Sequence, residues 1–201
     1  MVDDFDRVLE LAPDYIGAYL DRGWAYQLDG EFDKALADYN EAIRQDPSWA
    51  YPHVNKANLY NGVEEHELAI ESAGRAIELN PDAPEGYFEL AFAYWLAGEN
   101  RDAIDAYSDV IRLAPWNQNA YFNRGLIYME MPNYAAAVLD FNEVLRLDPT
   151  DVDAYYYRGR AYELKEEYEN ALRDYQKVFE LDPDFARIED DIEYVEGLID
   201  D

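Results

Sequence analysis

Residues 152–185 read VDAYYYRGRAYELKEEYENALRDYQKVFELDPDF, and this stretch decides the fold. In its first half, Tyr155, Gly159 and Tyr162 follow the i, i+4, i+7 spacing of one helix face. In its second half, an alanine and a tyrosine keep the same helical spacing, and an Asp-Pro pair ends the pattern. The stretch therefore predicts two short helices that are joined by a turn and packed against each other.

The same pattern returns every 34 residues along the chain. Prolines mark each return without an insertion, and columns of tyrosine, alanine and small residues keep the register. Self-similarity at a fixed period of this length is the signature of a repeat protein. The prolines are Pro13, Pro47, Pro81, Pro115, Pro149 and Pro183. The columns are Tyr26, Tyr60, Tyr94, Tyr128 and Tyr162; Ala35, Ala69, Ala103, Ala137 and Ala171; and Gly23, Ala57, Ala91, Gly125 and Gly159.

This period and these columns resemble those of the tetratricopeptide repeat (TPR) family. The resemblance covers residues 16–185 as five complete repeats. It implies an all-α solenoid, in which helix pairs form a right-handed superhelix with a concave groove lined by the first helix of each pair. The residues of the opening stretch that carry the resemblance are Tyr155, Arg158, Gly159, Tyr162, Tyr168, Ala171, Tyr175 and Pro183. The five repeats are 16–49, 50–83, 84–117, 118–151 and 152–185.

The two ends of the chain fit the same scheme. Residues 3–15 predict the second helix of a sixth, truncated repeat, and residues 186–201 predict a capping helix with one apolar and one polar side. We therefore expect residues 1–201 to form a single TPR domain with no comparable cap at its N-terminal end. The apolar residues of the first segment are Phe5, Val8, Leu9 and Leu11, and those of the last are Phe185, Ile188, Ile192, Val195 and Ile199.

One pair of columns changes together. Three repeats carry an arginine on the first helix and an aspartate on the second. In repeat three these positions hold Leu90 and Ala106, and in repeat two they hold Lys56 and Ser72. This covariation predicts a salt bridge between the two helices of a repeat, lost as a pair. The predicted pairs are Arg22 with Asp38, Arg124 with Asp140 and Arg158 with Asp174.

The connections carry turn and cap signals. An Asp-Gly pair ending at Gly30 predicts the turn within the first repeat. After each proline stands a residue able to cap the next helix, such as Ser48 or Thr150. The exception is Trp116, where Asn117 is the predicted cap.

Composition argues against several classes of protein. The 201 residues include 45 Asp and Glu against 16 Lys and Arg, a net charge of −29, and no cysteine. No disulfide, zinc-thiolate site or thiol nucleophile is therefore available, and the scarcity of basic residues argues against a nucleic-acid partner. No apolar run is long enough to span a membrane, so we expect no membrane partner. The acidic N-terminal residues do not resemble a targeting segment, which favours a cytoplasmic location.

No constellation of catalytic or metal-binding residues stands out. His53 and His66 are the two histidines, and both stand in columns otherwise held largely by aromatic residues, where ring packing explains them. The sequence has no Gly-rich phosphate loop and no nucleophile or metalloprotease motif. We therefore expect no enzymatic activity, no cofactor and no metal.

The resemblance implies which residues line the groove. Aromatic residues would anchor a ligand, Asn55 and Asn123 would hydrogen-bond an extended peptide backbone, and Glu85 and Glu89 would pair with Lys or Arg. The alternative is that the aromatics only fill space between helices and that the asparagines are ordinary surface residues. The predicted groove residues are Leu20, Trp24, Asn55, Asn58, Glu85, Phe88, Glu89, Phe92, Trp95, Phe122, Asn123, Tyr156, Tyr157 and Arg160. The predicted anchors among them are Trp24, Phe88, Phe92, Trp95, Phe122 and Tyr156.

These residues predict a protein or peptide partner. TPR domains that grip the C-terminal carboxylate of chaperones use Lys, Arg and Asn, whereas the neighbouring columns here hold Val54, Glu85 and Glu89 and would repel such a ligand. We expect the groove to hold an extended segment that is basic or apolar. Two alternatives stay open. The charge could serve solubility alone, or the chain could be a structural module that self-associates through the helix containing Phe5 and Leu9.

Overall fold

The fold is entirely helical. The computed structural model describes residues 2–200, which contain twelve α-helices and no strand, and the all-α prediction is thereby confirmed. Within this part of the chain, every helix is too short or too polar to cross a membrane. The helices are α1 (Val2–Leu11), α2 (Ile16–Leu28), α3 (Phe32–Gln45), α4 (Tyr51–Gly62), α5 (His66–Leu79), α6 (Pro84–Leu96), α7 (Asn100–Leu113), α8 (Gln118–Glu130), α9 (Tyr134–Leu147), α10 (Val152–Leu164), α11 (Tyr168–Leu181) and α12 (Ile188–Asp200).

Helices that follow each other in the chain form antiparallel pairs. The tightest packing joins α2 to α3, α4 to α5, α6 to α7, α8 to α9 and α10 to α11. These helices group into two compact units, Met1–Leu113 and Ala114–Asp201, which we call the first and second units and describe separately. The assignment of the whole chain to one domain stays a prediction.

In the first unit, a small residue on one helix lets an aromatic ring on its partner come close. Gly23 of α2 lies against Tyr39 of α3, and a Cβ atom at Gly23 would stand 2.6 Å from the Cε1 atom of that ring. Tyr39 is fully buried, together with Ala35 and Leu59. The small column therefore marks the closest approach of the two helices.

In the second unit, α12 packs against α11. Ile188 and Val195 of α12 are buried in one cluster with Tyr175 and Val178 of α11. The neighbouring Tyr194 stays 58% exposed. The helix thus has one apolar and one solvent-facing side, as a terminal element of a stack requires. In the first unit, α1 buries Leu9 and leaves 74% of Leu11 exposed.

The predicted salt bridges within helix pairs are confirmed. In each of the three pairs, the arginine Nε and Nη2 atoms donate to the two oxygens of the aspartate at 2.6–2.8 Å. The carboxylates of Asp38, Asp140 and Asp174 are buried. Such bidentate geometry is the strongest form of an arginine–carboxylate contact.

The same basic column also contacts the preceding helix pair, which was not predicted. The Nη1 atom of Arg22 donates to Asp6 of α1 at 2.6 Å, and the Nη1 atom of Arg158 donates to Asn142 of α9 at 2.7 Å. Lys56, which has no aspartate partner in its own pair, donates to Asn40 of α3 at 3.0 Å. The basic side chains therefore also connect consecutive helix pairs.

The predicted caps at Ser48 and Thr150 are wrong. Their amide and hydroxyl groups donate to the aspartate two residues earlier, which closes a turn before the next helix begins. The cap of α10 is Asp151, whose carboxylate accepts from the backbone N–H of Ala154 at 2.8 Å. The predicted cap at Asn117 is confirmed, since its side chain accepts from the third residue of α8.

The turn inside each helix pair requires a left-handed backbone. Gly30 and Gly98 adopt φ angles of 77° and 78° there, and Glu166 stands at the corresponding position with φ of 61°. A residue with a Cβ atom pays about 1–2 kcal/mol in this conformation. We expect Glu166→Gly to raise the free energy of unfolding by about 0.5–1 kcal/mol, because the gain is partly offset by the entropy of an unfolded glycine.

Urea unfolding of Glu166→Gly and of Gly98→Ala checks this expectation. Gly98→Ala introduces a Cβ atom at the equivalent turn and should lower the free energy of unfolding by a similar amount. A change of the same sign in both variants would contradict the explanation.

Candidate functional site

The predicted groove residues lie on the first helices of the pairs. In the first unit these are α2, α4 and α6, of which α4 contacts both others, and in the second unit they are α8 and α10. We call the surface that these helices present in each unit the first-helix face. The face therefore has one part in the first unit and one part in the second.

Polar side chains connect the three first helices of the first unit. The Oη atom of Tyr39 donates to the Oε1 atom of Gln27 on α2 at 2.9 Å. The Nε2 atom of Gln27 donates to Asn58 on α4 at 2.8 Å, and the Nδ2 atom of Asn58 donates to Glu89 on α6 at 3.0 Å. We call Gln27, Asn58 and Glu89, together with Asn61, the polar ladder.

Glu89 ends this ladder as a carboxylate held by neutral amides. Besides Asn58, the Nδ2 atom of Asn61 donates to the Oε2 atom of Glu89 at 2.9 Å and to its backbone oxygen at 3.1 Å. Burial raises the pKa of Glu89 above its usual range, against the opposing effect of the two asparagines. Among residues 2–200, no basic side chain forms a salt bridge with Glu89. The Oδ1 atom of Asn61 is buried without a hydrogen-bond partner in the same part of the chain.

The predicted anchors of the first unit differ in exposure. Trp24 is 44% exposed, whereas Phe88, Phe92 and Trp95 are half-buried. The Phe88 ring packs edge-on against Tyr107 of α7 with 5.5 Å between centroids. Phe92 and Trp95 pack edge-on against each other at 6.0 Å. Packing within a helix pair therefore accounts for Phe88, whereas Trp24 lies at the surface of α2 and the Phe92–Trp95 pair on α6 is partly exposed.

The remaining predicted residues of the first unit take different positions. Leu20 joins the core cluster around Tyr39, so its side chain packs inward. Asn55 is half-buried on α4, and Glu85 is exposed in the first turn of α6.

In the second unit, the predicted anchors pack on one another. Phe122 of α8 lies edge-on to Phe141 of α9 at 5.7 Å and to Tyr157 of α10 at 5.6 Å. Tyr157 is stacked on Phe141 at 6.0 Å. Tyr156 lies 4.9 Å from Phe185, close to α12. These rings are half-buried apart from Phe141, which is fully buried, so they both fill the interior and contribute to the first-helix face. The predicted Asn123 is half-buried on α8.

A cleft of about 480 Å³ lies on the second unit between α10 and α12. Arg160 stands 3.6 Å from Glu163, which in turn accepts from the Oη atom of Tyr175 at 2.6 Å. Burial raises the pKa of Asp191 above its usual range. The residues that line the cleft are Met129, Tyr156, Tyr157, Arg160, Leu164, Arg187 and Asp191.

One recurring contact within the helix pairs was not predicted from the sequence. Tyr39 and Tyr175 each donate to a polar residue twelve positions earlier, Gln27 and Glu163. In the fourth repeat, where the tyrosine is replaced by Phe141, that earlier position holds an apolar methionine. In repeats two and three the two columns do not change together, since Ala73 stands with Asn61 and Tyr107 with Trp95, so the sequence alone did not indicate this contact.

Glu89 gives a prediction for stability and its pH dependence. Because the folded-state pKa of Glu89 lies above the unfolded value of about 4.5, folding favours the protonated form. The contribution of this group to stability is therefore largest at acid pH and falls as the pH rises through the two values. We expect Glu89→Gln to be more stable than the original chain at pH 7 by about 1 kcal/mol.

Glutamine would retain part of the hydrogen bonding around residue 89. Its oxygen can accept from Asn58, and its amide can donate to the Oδ1 atom of Asn61 if the Asn61 amide turns over, which gives up the bond from Nδ2 of Asn61 to the backbone oxygen of residue 89. Thermal unfolding of both proteins from about pH 4 to pH 7 checks the expectation, with Glu85→Gln as the control for an exposed carboxylate on the same helix. A stability difference that does not change with pH would contradict it.

The sequence matches the family described as Tetratricopeptide repeat. Matches cover residues 17–48 and 152–185 with one model of the family, and residues 54–120 and 93–152 with another. Together they span most of the chain. No curated protein matches the sequence.

Solved structures share the fold. MamA is 27% identical with a TM-score of 0.75, over 86% of this chain and 94% of that protein. YrrB, whose structure is described as that of a TPR protein with an unusual peptide-binding site, is 22% identical with a TM-score of 0.75 over 94% and 98% of the two chains. At that identity the likeness shows the fold alone. The first TPR of Spaghetti (RPAP3), bound to the HSP90 peptide SRMEEVD, is 25% identical with a TM-score of 0.56 over 59% and 94%.

Proposed function

Because the chain belongs to the tetratricopeptide repeat family, whose members are generally non-enzymatic interaction modules, we propose that it is a protein-interaction scaffold. Its first-helix face holds an extended peptide segment of a partner, and this segment is basic or apolar. The RPAP3 domain, which was solved with a bound peptide, supports peptide capture as the kind of binding.

The observation that carries this proposal is the aromatic surface of α2 and α6. Trp24 is 44% exposed, and the half-buried Phe92 and Trp95 lie edge-on to each other at 6.0 Å between ring centroids. Aromatic side chains that stay wholly or partly exposed often mark a contact site. In this reading Asn55 in the first unit and Asn123 in the second each hydrogen-bond a peptide backbone, since an asparagine amide both donates and accepts.

Charge supports a basic partner. Glu85 and Glu89 face the ligand from α6, whereas Arg160 is the one basic residue among the predicted groove residues. The net charge of −29 accelerates encounters with segments rich in Lys and Arg, and salt weakens this attraction. The peptide bound by RPAP3 contains the acidic sequence EEVD, which the carboxylates of this chain would repel. We therefore expect this chain to prefer a segment without such an acidic end.

Cross-linking tests the proposal. A photoreactive residue is placed at Trp24, and the chain is used at low salt to capture partners whose cross-linked peptides are mapped. Phe92→Ala should abolish the specific cross-links. Phe32→Ala is the matched control, because Phe32 is 41% exposed on α3, the second helix of its pair. Equal loss in both variants, or cross-links formed equally well from a photoreactive group at Phe32, would contradict the assignment of the first-helix face.

A second candidate function is self-association through α1. The observation that favours it is the exposure of Leu11 at 74% and of Val8 at 37% on a helix that buries Leu9. Mass measured against concentration tests it, because Leu11→Asp should abolish any growth in mass. A protein that stays monomeric at all concentrations excludes this candidate and leaves the scaffold proposal intact.

A further inference from the structure

Glu89 carries a charge that its neighbours do not neutralise. Its two oxygens accept from Asn58 and Asn61 at 2.9–3.0 Å, and a carboxylate with about four lone-pair sites keeps room for further donors. Both asparagines are neutral amides, and no salt bridge to Glu89 is formed within residues 2–200. Half-buried charges in proteins are normally paired with an opposite charge. A cation supplied by a ligand would complete this arrangement.

The polar ladder fixes the position of this carboxylate. Gln27 on α2 donates to Asn58 on α4, and Asn58 donates to Glu89 on α6. Asn61, which is only 4% exposed, donates to the Oε2 atom of Glu89. The Glu89 side chain is therefore oriented before a ligand arrives, which reduces the conformational entropy that binding would cost. A site prepared in this way differs from an exposed glutamate such as Glu85, whose side chain is free to move.

Aromatic rings flank the same position. Phe92 follows Glu89 by three residues on α6, so their side chains are neighbours on one helix face, and Trp95 packs edge-on against Phe92. The aliphatic stem of a lysine or arginine can lie on such rings while its charged end reaches a carboxylate. The helical spacing thus places an acidic and an aromatic residue next to each other on α6.

We propose that Glu89, held by Asn58 and Asn61 and flanked by Phe92, is the subsite for a lysine or arginine side chain of the bound segment. This inference rests on the proposed function and adds to it the residue that selects the partner. Removal of any one carboxylate weakens the long-range attraction by the net charge to a similar extent, whereas only removal of Glu89 removes the subsite. The two effects can therefore be separated by variants with the same change in charge.

The test uses a fluorescein-labelled peptide of four Arg-Ser repeats and its counterpart in which citrulline replaces arginine. Binding to the full chain is followed by fluorescence anisotropy at low and at physiological salt. We expect Glu89→Gln to weaken binding of the arginine peptide about tenfold and Glu85→Gln less than about twofold. The citrulline peptide should bind weakly to all three proteins.

Each outcome decides. Equal losses in the two variants overturn the subsite but leave the scaffold, since only the general field would then act. Equal binding of the citrulline peptide by the unsubstituted chain also overturns it, because no cation is then needed. If the unsubstituted chain does not bind the arginine peptide, the subsite is overturned, while the cross-linking experiment at Trp24 still decides the scaffold. Thermal unfolding of Glu89→Gln separates a binding loss from unfolding, since that variant should be at least as stable.

Discussion

Replacing Asp140 with alanine is expected to lower the free energy of unfolding by about 3–5 kcal/mol. The carboxylate is 4% exposed and accepts two hydrogen bonds from Arg124 at 2.7 and 2.8 Å. Its removal withdraws the carboxylate that accepts two hydrogen bonds from a half-buried guanidinium, which is far more unfavourable than the absence of the whole pair. Urea unfolding measures the loss directly.

The chain itself supplies the compensating change. The third repeat carries Leu90 and Ala106 where the fourth has this pair, and Ala106 is buried. We therefore expect the double variant Arg124→Leu/Asp140→Ala to recover most of the loss and to unfold within about 1 kcal/mol of the original chain. A double variant as unstable as Asp140→Ala would show that the lost energy does not come from the guanidinium that the single substitution leaves in place.

Glu143→Ala is the matched control on the same helix. Glu143 also pairs with an arginine, Arg146, at 2.7 Å, but both side chains are exposed to solvent. An exposed pair of this kind contributes about 0.2–1 kcal/mol. A loss at Glu143 equal to that at Asp140 would mean that burial is not the deciding factor.

Phe141→Ala is expected to cost about 3–5 kcal/mol and to weaken ligand binding by the second unit. Phe141 is fully buried, with Phe122 and Tyr157 packed on it at 5.7 and 6.0 Å. Its removal leaves a cavity and also withdraws the support of two predicted groove residues. Urea unfolding gives the first effect, and the cross-linking experiment repeated with the photoreactive group at Tyr156 gives the second.

The second repeat indicates which change could compensate for the loss of Phe141. It combines Ala57 with Ala73 where the fourth repeat combines Gly125 with Phe141, and a Cβ atom at Gly125 would stand 2.9 Å from the Phe141 ring. Adding Gly125→Ala to Phe141→Ala should therefore recover about 1 kcal/mol, from helix propensity and from filling part of the cavity. Phe179→Ala is the control, because Phe179 is 38% exposed on α11. A similar loss at Phe179 would contradict the role of burial.

The sequence predicted those features whose partners lie at a fixed offset within one repeat. Arg124 and Asp140 occupy two columns sixteen residues apart, so three copies of the pair and two paired exceptions made the contact visible. The close approach at Gly23 was predictable for the same reason, since a small residue recurs in all five repeats. Pairs of this kind depend only on the helix–turn–helix geometry that every repeat shares.

Contacts between repeats could not be predicted in this way. Asn58 and Glu89 belong to different repeats, and neither residue recurs in its column as a pair. Their contact depends on how closely α4 and α6 stack, which the sequence period does not determine. The exposure of the predicted anchors could not be predicted either, because it depends on which side chain of the second helix each ring contacts. Phe88 finds Tyr107 there, whereas Trp24 remains at the surface.

The contact of the basic column with the preceding helix pair makes ionic strength act unevenly along the first unit. Arg22 binds Asp6 across the boundary between α1 and α2, and the Asp6 side chain is 46% exposed, so added salt screens this bond. At the boundary between α5 and α6 the basic residue is replaced by Leu90, and Gly86 packs closely on Ile77 instead. Apolar contacts of that kind persist or strengthen in salt. In concentrated electrolyte we therefore expect α1 to fray from α2, while α6 stays packed on α5.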